Sequence, residues 1–292
     1  MSKDVGSAVI RRIGIDDLKS CLALSIDRGW WPERTKWEWM LEGTEGWGID
    51  APDGNGLVGT TALTRWGDSR GAVGVMLVAS RYGGQGYGRA LMQRALDSAG
   101  EGVTLSLYAT SSGRPLYEKL GFKPVRRNIA FRGKFRVSKR ANKDEVAGTP
   151  GIVRVATEED LKEIITLDRA TYGADREWAL AVLPTYADRI VVFESAEGIT
   201  GYAAAWRTEP YMHVGPLVAA DGAAARRLVT DLGEHSAVPI RVDLDPDRPE
   251  LPAWVRACGL APTEYTTFMT RGDLTPVGIP EHVYTPVTVA MA

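Results

Sequence analysis

The stretch SRYGGQGYGRAL, residues 80–91, has four glycines in six positions and then runs directly into an apolar, helix-forming segment. Glycine inside a regular element costs stability, so a cluster of this kind usually has a backbone reason. The N–H groups at a helix N-terminus are unpaired and carry the positive end of the helix dipole, and glycines let a ligand reach them. The pattern therefore predicts a site for a phosphate or pyrophosphate; a flexible loop is the alternative.

Two familiar phosphate-binding motifs do not fit this stretch. A P-loop requires Lys followed by Ser or Thr, and no such pair follows these glycines. A Rossmann fingerprint that starts at Gly84 would need its third glycine at position 89, which is an arginine. What remains is Gly84-x-Gly86-x-Gly88 after the apolar run MLVAS.

The bulk composition restricts the classes of function. A length of 292 residues favours two domains, and 44% hydrophobic with 25% charged residues is typical of globular proteins. A net charge of −2 gives no reason to expect a nucleic-acid or membrane partner. No apolar run reaches a membrane span and no signal peptide is evident, so a cytoplasmic protein is expected. Cys21 and Cys258 are predicted to be buried free thiols, and no metal site is expected.

The chain contains the same pattern twice. Residues 8–25 and 151–168 each have a short β-like run, acidic residues and an apolar helical stripe, offset by 143 positions. Each half is predicted to run β-α-α-β-β-β-α-β-α-β. The predicted organisation is a first domain over 1–136, a charged linker over 137–150, a second domain over 151–272, and a proline-containing tail over 273–292 without an assigned role.

The glycine triplet and a later segment together resemble the GCN5-related N-acetyltransferase (GNAT) superfamily. The common form of its acyl-CoA pyrophosphate loop is Gln/Arg-x-x-Gly-x-Gly/Ala, and Gly83 departs from it by occupying the Gln/Arg position. The segment SSGRPLYEKLGFKPV, residues 111–125, resembles the later motif that carries Tyr-Glu-Lys-Leu-Gly-Phe. The resemblance is specific over residues 8–135, and the second half resembles a degenerate copy. It implies an α+β protein with two GNAT folds in tandem, each a mixed, mostly antiparallel sheet with helices on both faces.

The resemblance also implies acetyl-CoA as co-substrate and roles for individual residues. In the superfamily the acyl thioester lies between two strands that separate, here about 73–79 and 103–109, next to a β-bulge. Val78 is the candidate N–H donor to the thioester carbonyl. Tyr117 matches the tyrosine that protonates the departing thiolate in many members; a core tyrosine is the alternative. The residues expected to contact the cofactor are Met76, Val78, Gly83, Gly84, Gln85, Gly86, Tyr87, Gly88, Arg89, Ala90, Ser112 and Arg114.

The general base is left open by the sequence. An amine acceptor is mostly protonated at pH 7 and must lose a proton before it attacks. Many members place a glutamate on the first of the two strands, but residues 71–80 contain no acid. The candidates are a water chain or one of Glu33, Glu38, Asp27, Asp68 and His213; a histidine in this setting is more often a core or interface residue.

The acceptor pocket has few sequence signals. Trp30, Trp31 and Trp37 lie beside Glu38 in a region that borders the acceptor site in related folds, where they could form a cation–π wall for an ammonium group. They fit the core or an interface equally well. The second half, shifted by 140 positions, replaces Gly84, Gly86 and Gly88 by Ala224, Arg226 and Leu228, and Tyr117 corresponds to Val255. That half is therefore expected to cover the first domain and shape the acceptor pocket, or only to stabilise it.

The leading hypothesis is an N-acetyltransferase that moves an acetyl group from acetyl-CoA to the primary amine of a small molecule within a ternary complex. A monomer and a homodimer are both compatible with the sequence. The alternatives are a non-catalytic acyl-CoA-binding or regulatory module and a protein lysine or N-terminal acetyltransferase. The intact glycine triplet and Tyr117 favour an enzyme, whereas Gly83 and the missing strand glutamate favour the binding module.

Overall fold

A computed structural model describes residues 9–137, 148–273, 275 and 277–291, so most of the predicted linker lies outside the described residues. The predicted element order is found in both halves. The first half contains β1 (Ile10–Arg12), α1 (Leu18–Asp27), α2 (Arg34–Gly43), β2 (Glu45–Asp50), β3 (Leu57–Trp66), β4 (Arg70–Val78), α3 (Tyr87–Ala99), β5 (Thr104–Ala109), α4 (Arg114–Lys119) and β6 (Lys123–Gly133).

The second half repeats this order, and the tail adds one more strand. The elements are β7 (Ile152–Val155), α5 (Leu161–Tyr172), α6 (Glu177–Tyr186), β8 (Arg189–Ser195), β9 (Gly198–Thr208), β10 (Tyr211–Ala219), α7 (Gly222–Glu234), β11 (Ile240–Leu244), α8 (Glu250–Ala257), β12 (Ala261–Arg271) and, in the tail, β13 (Val283–Thr285). None of the helices in the described part of the chain is long and apolar enough to cross a membrane.

The strands of the described residues form one continuous sheet. Its order is β1-β2-β3-β4-β5-β12-β6-β11-β10-β9-β8-β7, and β13 lies beside β10. Only the pairs β4–β5 and β10–β11 are parallel among the recorded strand pairs. The sheet is therefore mixed and mostly antiparallel, as predicted.

The two halves exchange their last strands. β12 of the second half pairs with β5 and inserts between β5 and β6, while β6 of the first half pairs with β11. Each half thus completes its part of the sheet with a strand from the other half. Main-chain hydrogen bonds across this exchange join the halves into one sheet, which the order of elements along the chain did not predict.

Helices cover both faces of the sheet, and one core spans both halves. α3 and α4 pack on one face of the first half, and α7 and α8 cover the second half. The helices α1, α2, α5 and α6 share a single cluster on the other face. In that cluster the ring of Trp39 stacks on Tyr186 at 5.3 Å and meets Trp206 edge-on. Cys21 and Cys258 are buried free thiols, as predicted.

Both halves carry a β-bulge at the same place. Ala62 pairs with Gly74 and Thr60 with Leu77, so the two residues Val75 and Met76 lie opposite one residue of β3. The pairing of β9 with β10 shifts in the same way at residues 215–216, which lie 140 positions later. The bulge puts Val75 at φ 42°, a region that valine rarely adopts.

Candidate active site

β4 and β5 separate beyond their first residues and leave an opening in the sheet. Their paired residues are 70–72 of β4 and 104–106 of β5, and the bulge follows directly. The Ala79 N–H donates to the Val58 carbonyl of β3 at 2.8 Å. Because N–H groups alternate in direction along a strand, the Val78 N–H points away from β3, toward the opening. The structure thus gives Val78 the orientation that an oxyanion donor needs.

The glycine loop connects β4 to the N-terminus of α3. Gly86 is the N-cap residue at φ 95°, and Gly84 has φ 73°, so both adopt the left-handed conformation that favours glycine. A Cβ placed on Gly84 meets no described atom within 4 Å, and the N-cap contributes no side-chain hydrogen bond. The loop before α3 is therefore exposed and its glycines leave room beside the helix N-terminus, as a phosphate site there requires.

Gly88 brings three elements of the site together. A Cβ at this position would lie 3.4 Å from Leu116 of α4, 3.4 Å from Met76 and 3.6 Å from Val78 of β4. The first turn of α3, the bulged part of β4 and the helix that carries Tyr117 therefore meet at one glycine. A larger side chain at this position would push against all three.

Tyr117 follows Leu116 on α4 and is 7% exposed. Its ring meets Phe122 edge-on at 6.2 Å. Burial raises the pKa of Tyr117 to about 12, so the hydroxyl keeps its proton at neutral pH. A tyrosine that keeps its proton at neutral pH can donate it to a sulfur on which negative charge develops as a thiolate leaves.

The other residues expected to contact the cofactor differ in whether their N–H groups are already hydrogen-bonded within the protein. The Gly83 N–H already donates to the Ser80 carbonyl at 3.2 Å, and the Ala90 N–H donates to Gly86, so neither offers a free N–H. Arg89 is exposed and makes no ion pair among the described residues, which leaves its guanidinium available for a phosphate.

Side chains around the loop are partly engaged with each other. The Arg114 guanidinium is bound to Glu118 at 2.7 Å, and the Ser112 hydroxyl lies 3.2 Å from that of Thr110. The Gln85 amide donates to the Arg81 carbonyl at 3.4 Å, and Tyr87 meets Tyr82 edge-on at 6.0 Å. These contacts connect the loop to the residues around it.

Asp27 positions the loop rather than the acceptor. Its carboxylate accepts hydrogen bonds from the Ser80 N–H at 2.6 Å and the Ser80 hydroxyl at 2.7 Å. These bonds hold the pKa of Asp27 below its ordinary value. The C-terminus of α1 is thereby tied to the turn that precedes the glycine loop, so this base candidate has a structural task.

Glu33 and His213 belong to one buried charged network between the halves, although they are 180 positions apart in the sequence. Glu33 pairs with Lys36, and one of its carboxylate oxygens lies 4.0 Å from the Arg241 guanidinium. Arg241 also binds Asp243 at 3.0 Å, and the His213 Nδ1 lies 3.8 Å from the same carboxylate. The structure thus brings together two base candidates that the sequence left unrelated.

Neither Glu33 nor His213 has a pKa high enough to take a proton readily from an ammonium group. Burial by itself would raise the pKa of Glu33, but Lys36 and Arg241 outweigh it and hold that pKa below its ordinary value. Burial lowers the pKa of His213 to about 4, so the ring is neutral at pH 7. Its Nε2 has no hydrogen-bond partner in the described part of the chain. Both groups are therefore weak bases under ordinary conditions.

The remaining base and acceptor candidates are distributed over different environments. Glu38 pairs with Arg34 at 2.8 Å along α2, and Asp68 lies in the exposed turn before β4, at the strand end away from Val78. Trp37 is 1% exposed and donates its indole N–H to the Ser25 hydroxyl, so it packs in the core. Trp30 and Trp31 are 38% and 50% exposed, and the Lys36 ammonium lies 5.8 Å from the centre of the Trp30 ring.

The second half has its own carboxylate where the first half has its glycine loop. Asp221 is the N-cap of α7 and accepts the Ala224 N–H at 2.8 Å, together with the N–H and hydroxyl of Thr149. Only residues 220–221 separate β10 from α7, whereas residues 79–86 separate β4 from α3. The shift between the copies falls from 140 to 135 here, so Ala224 and Arg226 are not the counterparts of the loop glycines.

The tail occupies the opening between β10 and β11. β13 pairs antiparallel with β10 at Leu217 and Val218, which correspond to Leu77 and Val78 at the shift of 140. On the other side, the Thr285 hydroxyl donates to a β11 carbonyl. The second half is thus filled by its own strand in the region where the first half is open.

The end of the tail reaches the first half. Val287, Ala290 and Met291 are buried, and a Cβ on Gly74 of β4 would overlap the Ala290 carbonyl oxygen. The tail, to which the sequence assigned no role, therefore links the filled opening of the second half to the bulge of the first.

Comparisons with known proteins agree with this architecture. Two family models, each described as an acetyltransferase (GNAT) domain, match residues 48–124 and 164–285. The "Uncharacterized N-acetyltransferase YitH" of Bacillus subtilis (strain 168) is 24% identical over 183 residues, which span 62% of this chain and 62% of that protein.

Solved structures show the same fold over nearly the whole chain. A candidate acetyltransferase from Pyrococcus horikoshii has a TM-score of 0.80 at 18% identity, covering 99% of this chain and 98% of that one. A tandem GNAT protein from the clavulanic acid biosynthesis pathway has a TM-score of 0.58 at 14% identity, covering 90% and 98%. The repeated element order, the two matched domains and these neighbours establish that the chain belongs to the GNAT acetyltransferase superfamily and carries two such domains in tandem.

Proposed function

We propose that the protein is an acetyl-CoA-dependent N-acetyltransferase that acts on the primary amine of a small molecule, with its reaction centre in the first half. Family membership supports acyl transfer in general terms. The observation that supports the proposal most is that α3, β4 and α4 meet at Gly88, because the N-terminus of α3, the Val78 N–H and the protonated Tyr117 could then act on one bound ligand.

The roles of the residues follow from this arrangement. The first turn of α3 and the Arg89 guanidinium would bind the pyrophosphate of acetyl-CoA. The Val78 N–H would stabilise negative charge on the thioester oxygen while the amine nitrogen forms a bond to the carbonyl carbon. As the carbon–sulfur bond breaks, the Tyr117 hydroxyl would give its proton to the sulfur.

The proton of the ammonium group needs a different acceptor. Glu33 is already paired and His213 has a pKa of about 4, so we propose that the amine loses its proton to water before it attacks. The rate is then expected to rise with pH across the neutral range without a plateau from a histidine. A plateau near pH 6.5 in the pH profile of kcat/KM would point to a protein base instead.

We propose a small amine as the acceptor because helices of both halves cover the sheet face opposite α3 and α4. α2 and α6 pack against each other on that side, and the exposed rings of Trp30 and Trp31 come shortly before α2 in the chain. A cation over an indole face is favourable. An extended protein tail would need an open groove on this side.

The test is release of CoA thiol from acetyl-CoA with a panel of small amines, amino acids, aminoglycosides and lysine peptides, against a control without acceptor. Acceptor-dependent release with a small amine supports the proposal. Release only with peptides would favour the protein acetyltransferase. A Val78→Pro variant lacks this N–H and should lose activity. A Val58→Ile variant, on the neighbouring strand β3, keeps the N–H and is the control for general damage to the sheet.

The low basicity of the available groups favours one second candidate, an acyl-CoA-binding module without turnover. Such a module would bind acetyl-CoA saturably, and no acceptor in the panel would accelerate thiol release. Absence of any CoA binding would contradict both functions.

A further inference from the structure

A cavity of about 580 Å³ lies on the sheet face opposite α3 and α4. Its wall includes Arg70 and Gly71, at the paired end of β4, which is the end away from Val78. It also includes Asp243 and Asp245, where β11 separates from β10. The cavity is therefore distinct from the opening assigned to acetyl-CoA and is enclosed by residues of both halves and of the tail.

Aromatic side chains form much of the cavity wall. They come from both halves and from the tail. The volume of the cavity lies within the size range of small-molecule sites. A flat apolar body could stack between them. The aromatic lining residues are Trp66, Tyr108, Tyr172, Phe268 and Tyr284.

Three arginines line the same cavity, and none has a carboxylate within 4.0 Å in the part of the chain that the structure describes. Arg70 donates to the Thr275 carbonyl at 3.0 Å, and Arg248 donates to the carbonyls of the tail, including Val283 at 3.1 Å. These bonds use N–H groups but leave the positive charges without an ionic partner.

Arg126 is the arginine best placed to anchor a ligand. It is partly buried, its guanidinium lies 4.2 Å from the centre of the Phe268 ring, and it hydrogen-bonds to the Tyr108 hydroxyl. Stacking fixes the plane of the guanidinium, and a fixed planar fork is suited to two parallel hydrogen bonds with an anion.

The acidic residues of the wall do not neutralise this charge at close range. The Asp243 carboxylate is engaged by Arg241, and Asp273 and Glu281 are exposed at the rim. Asp245 acts on Arg126 electrostatically but makes no ion pair with it. A partly buried guanidinium with this surrounding retains a site for an added anion.

We propose that this cavity binds a small organic anion, a carboxylate or a phosphate monoester with a flat apolar body, and that Arg126 is its anchor. β13 fills the opening between β10 and β11, where a second acyl donor would lie. The site is therefore a binding site and not a second place of acyl transfer. The inference does not depend on the proposed activity.

The test is isothermal titration of the full chain with benzoate and phenyl phosphate, which distinguish the two anion types, and with benzyl alcohol and benzylamine as neutral and cationic analogues. We expect one anion per chain, bound at least about tenfold more tightly than either analogue. Saturating CoA should leave this affinity unchanged. Equal binding of the analogues, competition by CoA, or no saturable binding of either anion at millimolar concentrations would overturn the proposal.

Variants make the assignment specific to Arg126. Arg126→Met should weaken the anion about tenfold or more, whereas Arg127→Met, the exposed neighbour on the same strand, should leave it unchanged. Asp245→Asn removes a negative charge that acts on Arg126, so it should tighten the anion. Damage to the fold would weaken anion binding in every variant. Weaker anion binding by Asp245→Asn or by Arg127→Met would therefore overturn the assignment. CoA titration of the same variants reports on the proposed acyl-CoA site separately.

Discussion

Gly84 and Gly102 form a matched pair for testing the glycine loop at the scale of single residues. Both have positive φ, 73° and 79°, and a Cβ on either meets no described atom within 4 Å. Alanine at either position should cost about 1–2 kcal/mol of unfolding free energy through backbone strain. Only Gly84→Ala should also weaken acetyl-CoA, by about tenfold, because only this methyl group enters the phosphate site.

Urea unfolding and CoA titration of both variants check this prediction. Equal CoA affinity in Gly84→Ala and Gly102→Ala would contradict the assignment of the loop, whatever their stabilities.

Removing the Tyr117 hydroxyl should affect turnover and not binding. Tyr117→Phe keeps the buried ring against Phe122, so acetyl-CoA affinity and the unfolding midpoint should change little. A general acid contributes roughly 10²–10⁴-fold in many enzymes, and the lower end is expected because a thiolate leaves readily. The measurement is kcat from pH 6 to 9, with Tyr265→Phe on the exposed surface as the control.

The pH profile adds a second criterion. Since the pKa of Tyr117 is about 12, the wild-type hydroxyl is protonated over the whole range, and the variant should show a parallel profile at a lower rate. A change of profile shape would mean that the tyrosine acts in another way.

Local motifs account for the site residues that the sequence could predict. The glycine loop and the Tyr117 helix are continuous segments, so their chemistry is readable from neighbouring residues. The network of Glu33, Lys36, Arg241 and Asp243 is not, because its members come from α2 and β11 and meet only after the halves have packed. The burial of Trp37 likewise depends on packing that helical spacing does not specify.

At the scale of elements, the N-terminus of α7 should owe stability to Asp221. Its carboxylate caps α7 and holds Thr149, so Asp221→Ala should cost about 1–2 kcal/mol of unfolding free energy. Burial by itself would raise the pKa of Asp221, but hydrogen bonds from Ala224 and Thr149 outweigh it and lower that pKa.

The sign of the pH dependence follows from this lowered pKa. A carboxylate with a depressed folded-state pKa contributes stability above its unfolded pKa, near 3.9, and loses it as the pH falls through the folded value. The difference between wild type and Asp221→Ala should therefore be full at pH 6 and shrink below about pH 4. Urea unfolding at several pH values measures it; a difference that grows toward low pH would contradict the capping role.

Periodicity predicted the elements because it reports which side of a segment is buried. It does not report which edge a strand pairs with, and β6 and β12 exchange partners without any change in their patterns. The shift of 140 between the copies holds along β4 and β10 but fails at the connection to the next helix. Loop lengths vary where no pairing fixes them, so a gap-free alignment could not locate the start of α7.

At the scale of the whole molecule, the two halves share one sheet but differ in what fills their openings. The second half contains β13 and the Asp221 carboxylate where the first half has an open groove and an uncapped helix. One molecule of acetyl-CoA per chain is therefore expected in a calorimetric titration. A stoichiometry of two would mean that β13 leaves its place when ligand is added.

The tail couples these two regions, and Gly74 is the position where the coupling can be measured. A methyl group on Gly74 would overlap the Ala290 carbonyl oxygen, so Gly74→Ala should cost about 1–3 kcal/mol of unfolding free energy in the full chain. In a chain that ends at Pro286, β13 is retained but residues 287–292 are gone. The same substitution should then cost less than about 0.5 kcal/mol.

Gly71→Ala provides the matched control, because the three atoms nearest to a Cβ there belong to β3 and β5, the closest being the Thr64 carbonyl oxygen at 2.9 Å. Its cost should be the same in both chain lengths, whereas the Gly74 cycle should show a coupling energy of about 1 kcal/mol or more by urea unfolding. If Gly74→Ala lowers the unfolding free energy equally in the full chain and in the chain that ends at Pro286, the tail and the bulge are not energetically coupled. A measured coupling would instead place the end of the chain against the strand that carries Val78, so that tail packing and the geometry of the acyl-CoA opening depend on each other.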